Sequence, residues 1–264
     1  MSIDQSSLPA LRTSRLTVQY GGVCANSDID LEVHAGEVVG LIGPNGAGKT
    51  SFIDAISGFT PYTGQVWLGD VCIDKLPAHR RYNAGLARTW QSGELFDELT
   101  VAENISVASR RAGLGMLWRD LVSLRSKRVI PEVDRVLDAV GLDDLADRRP
   151  SELSLGQRKL LGVARALAGN RRMMLLDEPA AGLSRQETEG FGNRLRRIAK
   201  TGVGTLLVDH DMSLVLEFCD RVYVLDFGVV IATGSPAQIA VDERVLTAYL
   251  GAVEPQARAG VEVQ

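Results

Sequence analysis

Gly43-Pro44-Asn45-Gly46-Ala47-Gly48-Lys49-Thr50 keeps the spacing of a glycine, four residues, a glycine, a lysine and a hydroxyl residue. In that pattern the backbone folds back tightly and turns its N–H groups inward around a phosphate chain. Glu37-Val38-Val39-Gly40-Leu41-Ile42 ahead of it reads as a buried strand, and Ser51 to Ile56 behind it reads as a helix. The N-terminus of that helix would add partial positive charge at the phosphates. Donors would therefore run from Gly43 through Ser51, with Lys49 on the β- and γ-phosphates and the Thr50 hydroxyl on Mg²⁺.

Two further groups of residues could complete such a site. Met173-Met174-Leu175-Leu176 leads into Asp177 and Glu178. A strand ending in two acids can offer one carboxylate to Mg²⁺ and a second to the proton of an attacking water. Leu153-Ser154-Leu155-Gly156-Gln157 opens a helix with apolar positions at Leu160, Val163, Ala164 and Leu167. Ser154 suits its N-cap, and a hydroxyl and a glycine at a helix start make a second candidate anion site. Taken alone, the acids would be a surface pair and the helix merely a capped helix. Their order, however, is P-loop, lone Gln91, LSLGQ, Asp177-Glu178, then His210, and from Leu11 to Ala252 this resembles the ATP-binding cassette (ABC) ATPases.

The resemblance implies roles by position. Tyr20 matches the aromatic that stacks on adenine, Gln91 the glutamine that touches Mg²⁺ or water and leads into a helical insert, and His210 the histidine at the γ-phosphate. Lys49, Gln91, Glu178 and His210 would be the catalytic set, and Thr50, Gln91 and Asp177 the metal set. Ser154, Gly156 and Gln157 would bind ATP held by a second cassette, itself or a paralogue. Two positions depart from the superfamily pattern: Ser184, at the end of Ala180-Ala181-Gly182-Leu183-Ser184, stands where Asp is common, and Leu155 where Gly is commoner. The stretches ARTWQ (Ala87 to Gln91), DEPAAGLS (Asp177 to Ser184) and ATGSPAQI with AYLG look like ATP-binding subunits of branched-chain amino acid importers. Related subunits serve urea, amides and lipopolysaccharide export. This implies integral membrane permease subunits, indirectly a solute-binding protein, and a peripheral place on the cytoplasmic side of the plasma membrane. The alternative is a soluble ABC-type ATPase acting on DNA, ribosomes or cofactor assembly.

These residues need an α/β fold: a P-loop NTPase core with a mostly parallel sheet, an antiparallel β layer and an inserted helical subdomain. Leu16 to Tyr20 and Ile29 to Val33 alternate as strands around Gly21-Gly22, and Gln65 to Ile73 reads as a hairpin through Gly69-Asp70. Leu86 to Trp90 is a short strand, Thr100 and Glu103 suggest a capping box, and Ile130 to Val140 recurs at helical spacing until Gly141. After Asp177 come a helix facing inward at Phe191, Leu195 and Ile198, a strand Thr205 to Asp209, a helix Ser213 to Phe218 and a strand Val222 to Leu225. The expected division is one domain over 11–252, a helical subdomain over 92–160, and flexible tails at 1–10 and 253–264.

The 264 residues carry a net charge of −4, which disfavours nucleic acid as a partner. Cys24, Cys72 and Cys219 are odd in number, far apart and form no CxxC pair, which argues against a zinc or disulfide framework. The N-terminus lacks the blocks of a signal peptide, and no apolar run is long enough to span a bilayer. Two charged stretches stand out. Six basic side chains between Arg110 and Arg128 face a single acid, Asp120, and read either as a membrane-surface helix or as a solvated face. Ser92 to Asn104 carries Glu94, Asp97, Glu98 and Glu103 with no basic residue, an expected docking surface for a permease helix.

Overall fold

The computed structural model describes residues 8–89, 95–109, 131–209 and 212–251. At its centre β3 (Val38–Ile42), β6 (Leu86–Arg88), β7 (Met173–Asp177), β8 (Gly204–Val208), β9 (Arg221–Asp226) and β10 (Val229–Gly234) form one sheet in the order β10-β9-β3-β8-β7-β6. Neighbours from β9 to β6 run parallel, and β10 closes the edge antiparallel to β9. Every residue of β3, β7 and β8 is buried, which explains their unbroken apolar sequence: both faces of the sheet are covered.

The two faces take alternate residues of each strand. Val39, Leu41, Met173, Leu175, Leu206 and Val208 join a core shared with α1 (Lys49–Ser57) and a second, antiparallel sheet. That sheet has the order β2-β1-β4-β5, from β1 (Leu11–Tyr20), β2 (Val23–Val33), β4 (Thr63–Leu68) and β5 (Val71–Cys72). Phe52, Ile53 and Ile56 of α1 are fully buried between the sheets, so the helix that follows the P-loop is fixed along its length. Its C-terminal carbonyls, Ala55 O and Ile56 O, accept from the buried guanidinium of Arg81 at 3.0 and 2.7 Å, a cation at the negative end of the helix dipole. Arg81 belongs to α2 (Ala78–Asn83).

Val38, Ile42, Met174, Leu176 and Leu207 face the other core, built with α3 (Val101–Ser109), α4 (Pro131–Val140), α5 (Leu155–Leu167), α6 (Arg185–Ala199) and α7 (Met212–Phe218). α3, α4 and α5 all fall between β6 and β7 in the chain. Gly141, with φ +66°, ends α4 by donating to Leu137 O at 2.7 Å, as the sequence suggests. α8 (Pro236–Ile239) and α9 (Glu243–Gly251) complete the described chain.

The structure lengthens two strands. β1 begins at Leu11 rather than Leu16 because a bulge at Arg15, φ +47°, shifts the inward set from Leu11 and Thr13 to Leu16 and Val18. Asp28, φ +50°, does the same in β2. Ala10 is already buried and accepts from Gly69 N–H at 3.0 Å, inside the stretch expected to be tail. In α5 the buried stripe runs through Leu161, Val163, Ala164 and Leu167, while Leu160 is only partly covered. No helix among the described residues is long and apolar enough to cross a membrane. The basic stretch from Arg110 to Arg128 lies outside the described residues, as do 1–7 and 252–264.

Candidate nucleotide site

Between β3 and α1 the chain turns with positive φ at Gly43, Gly46 and Gly48. At Gly48 the conformation is left-handed (φ +99°), and a Cβ would run into the Ala25 carbonyl and the Asn26 amide. Asn26 is fully buried and donates from Nδ2 to Gly48 O at 3.2 Å. Gly228 N–H, in the β9–β10 turn, donates to Ala47 O at 3.0 Å. The loop is thus braced from outside by a strand of one sheet and a turn of the other. Lys49 folds back over it, Nζ donating to Gly43 O at 2.6 Å and Pro44 O at 3.0 Å. Burial pushes the Lys49 ammonium below its ordinary pKa, and the carboxylates of Glu178, Asp177 and Asp209 oppose that shift. Thr50 is exposed on the first turn.

Asp177 ends β7, one strand removed from β3 across β8, and is buried. Desolvation raises its carboxyl pKa, while the Arg88 guanidinium, donating to Oδ2 at 3.1 Å, pulls it down. Glu178 follows with φ +45°, its N–H donating to Val208 O at 2.8 Å. A left-handed glutamate at a strand end costs of the order of 1–3 kcal/mol, and such strain gathers where a side chain must be aimed. Lys159 of α5 lies within electrostatic reach of Glu178 and Asp209, and burial depresses its pKa. The P-loop lysine and the acids are therefore one constellation.

Ser154 caps α5 as its sequence predicts: Oγ accepts from Gln157 N at 3.3 Å, and Gln157 Oε1 accepts from Ser154 N at 2.9 Å. Ser154 is exposed and Gln157 partly buried, with Leu155 between them 47% exposed. Among the described residues no hydrogen bond joins Ser154, Gly156 or Gln157 to the P-loop. Ser184 repeats the device on α6: its Oγ accepts from Glu187 N at 3.4 Å, and Glu187 Oε2 accepts from Ser184 N at 2.9 Å. Serine at this position thus serves as an N-cap, work an aspartate would also do. Tyr20, 48% exposed at the tip of β1, pairs its hydroxyl with Thr60 Oγ1 at 3.2 Å. Gln91 and His210 lie outside the described residues.

Leading into α3, Thr100 and Glu103 form the expected capping box: Glu103 Oε2 accepts from Thr100 N at 2.8 Å. Glu103 is therefore occupied within the helix, whereas Asp97 and Glu98 are exposed. The loop carrying them is tied by fully buried Asn104, which accepts from Phe96 N and donates to Phe96 O, Leu99 O and Thr100 O at 2.9–3.2 Å. Asn104→Ala leaves these groups unmatched, so a loss of roughly 1–3 kcal/mol is expected. Urea denaturation should report it, with faster amide exchange confined first to 96–100.

Asn26, Arg88 and Asn104 escaped the sequence reading. Arg88 alone left a trace, a charged residue at the end of a short apolar strand. The two asparagines look like any loop or helix-surface residue until their burial is seen.

A phosphate-binding loop between a buried parallel strand and a helix, with an acid at the end of a nearby strand, defines a P-loop nucleotide hydrolase. The family model "ABC transporter" matches residues 26–181, and "Branched-chain amino acid ATP-binding cassette transporter" matches 229–255. The high-affinity branched-chain amino acid transport ATP-binding protein BraF of Pseudomonas aeruginosa is 37% identical, covering 93% of this chain and 99% of that one. The lipopolysaccharide export system ATP-binding protein LptB of Haemophilus influenzae is 32% identical over 91% and 97%. The crystal structure of MJ1267 in its ADP conformation, an ATP-binding cassette of an ABC transporter, superposes with a TM-score of 0.81 at 29% identity, covering 93% of this chain and 100% of that one. The chain belongs to the ABC transporter family as an ATP-binding, ATP-hydrolysing cassette.

Proposed function

We propose that this cassette powers a membrane importer of branched-chain amino acids or a related small polar solute. The observation that carries the reading is the C-terminal match over 229–255, a stretch outside the shared nucleotide-binding region, to the branched-chain amino acid cassette model. The relatives named for that transport are also more similar than the export relative. In this reading the chain sits peripherally on the cytoplasmic side of the membrane. It is held there by permease subunits, pairs with itself or a paralogous cassette, and is fed indirectly by a solute-binding protein. Residues 92–160 form the subdomain that answers to the permease.

Within the site, the backbone from Gly43 to Ser51 and the Lys49 ammonium hold the triphosphate, and Tyr20 stacks on the adenine. Glu178 takes the proton of the attacking water, with Gln91 and His210 placed by their sequence positions beside water and γ-phosphate. The donors offered to a metal are oxygens alone: the Thr50 hydroxyl, Gln91, and the Asp177 carboxylate, whose Oδ2 is engaged by Arg88. Few protein oxygens completed by substrate phosphates suit Mg²⁺, and a bound Mg²⁺ would neutralise charge developing on the phosphates. Ser154, Gly156 and Gln157 contribute to ATP held by the opposite cassette.

Affinity isolation of the tagged chain from native membranes tests the reading. Permease subunits should co-purify, and the reconstituted complex should show ATPase activity stimulated by leucine, isoleucine or valine through its binding protein. Stimulation confined to a lipopolysaccharide precursor would replace import by export. Docking is tested separately. Glu94→Lys with Glu98→Lys should spare ATP binding by the isolated chain and weaken assembly, since rim charges set encounter and register more than raw affinity. Cysteines at Glu94 or Asp97 should cross-link to the permease; cross-links confined to Arg194 to Lys200 would move the docking site there.

A further inference from the structure

Arg88 ends β6 and divides its guanidinium between two carboxylates from different elements. One nitrogen donates to Asp54 of α1 at 2.6 Å and the other to Asp177 at the end of β7 at 3.1 Å. The Arg88 and Asp177 side chains are 8% and 9% exposed, so this half of the bridge is shielded from solvent. β6 is held in place as well: Arg88 is in register with Leu175 of β7, and Thr89 N–H donates to Leu175 O at 2.9 Å. Asp54 lies one helical turn beyond Thr50, on the same helix. The two elements that Arg88 joins are therefore the two that carry Thr50 and Asp177.

We propose that Arg88 is a positioning residue of the metal site, its fork fixing Asp177 Oδ2 to α1 so that Asp177 Oδ1 and the Thr50 hydroxyl stay at the spacing one cation requires. The inference rests on the reading that Asp177 and Thr50 hold Mg²⁺. A planar fork with divergent N–H groups can hold two carboxylates at a set separation; a lysine, a point donor on a flexible stem, cannot. Groups that orient a metal ligand without touching the metal typically change its affinity by about 10–100-fold when lost. Arg88 also balances the two carboxylates it joins, so its loss leaves Asp177 buried without that partner.

The test uses the full chain and a non-hydrolysable ATP analogue, reading the Mg²⁺ concentration at half-saturation of nucleotide binding, with Mn²⁺ electron paramagnetic resonance as an independent count of bound metal. Arg88→Met should raise half-saturating Mg²⁺ by about 10–100-fold, with nucleotide affinity in EDTA unchanged. Asp54→Asn should shift it in the same direction by less, and Arg88→Lys should restore part of the Arg88→Met loss. Variants that lower Tm but keep wild-type half-saturation would reduce Arg88 to a structural ion pair and overturn the proposal. Tighter metal binding would overturn it too, since Arg88 would then compete with the cation. If Arg88→Met does not fold, Arg88→Lys and Asp54→Asn decide the matter by the same readings. Asp177→Asn separates the underlying assignment: a normal half-saturation there removes Asp177 as a ligand and the proposal with it, whereas a large shift there with none at Arg88 removes the proposal alone.

Discussion

Glu178→Gln is expected to leave ATP binding intact while steady hydrolysis falls by roughly 10²–10⁴, the usual worth of a general base. The substitution keeps the shape of the side chain and its capacity to hydrogen-bond. The backbone at φ +45° and the bond from its N–H to Val208 O do not depend on the carboxylate. Lys49 keeps its carbonyl partners, Gly43 O and Pro44 O, and Asp177 keeps Arg88. What disappears is the proposed proton acceptor, one residue beyond Asp177. ATP should then accumulate in a closed dimer, measurable as a mass shift on size exclusion and as bound nucleotide recovered as ATP rather than ADP. Lys49→Ala should behave oppositely, losing nucleotide before any chemistry, because the cation proposed to hold the phosphates is gone. Turnover by Glu178→Gln near the wild-type rate would place the base elsewhere.

The contrast between these two substitutions was legible in the sequence, because both residues sit in local motifs. A P-loop is a run of eight residues whose glycines have local causes, and the apolar run ahead of Asp177 marks a buried strand whatever lies beside it. The same holds for Ser154 and for the Thr100–Glu103 box, since a cap is satisfied within one helical turn. Contacts between distant segments were not legible. Arg88 meets Asp54 and Asp177 across 34 and 89 residues, and Asn26 reaches Gly48 across 22. No local period announces such pairs. The β1 start was misplaced for a different reason: the bulge at Arg15 puts two residues between the inward-facing Thr13 and Leu16 where a regular strand would show one. The C-terminal elements β10, α8 and α9 also passed unread. They are short, and their exposed faces carry Val229 and Leu246, which blur any alternation.

Ser154 leads to the second large effect, because in the proposed reading it serves ATP held by the opposite cassette rather than by its own P-loop. Its hydroxyl and the Gln157 amide cap the solvent-facing end of α5, and among the described residues neither bonds to Gly43–Thr50. Under the proposal, this donor set meets a triphosphate that another chain brings. A two-fold pair does so twice, since an isologous interface repeats every contact. Lys49→Ala and Ser154→Arg homodimers would each carry two damaged sites and show little ATPase activity. A mixed dimer gathers both lesions into one site and leaves the other intact, so mixing the two inactive preparations should restore activity in proportion to the mixed dimers formed. Losing the Ser154 cap costs only about 1 kcal/mol, so Ser154→Arg should remain folded, with its own P-loop still able to bind nucleotide. Where the chain pairs with a paralogous cassette, the lesions are placed one on each partner and the intact composite site is read from the assembled transporter. Mixed dimers verified by mass that recover nothing would mean each cassette completes its site alone, and Ser154 would be left as a helix cap.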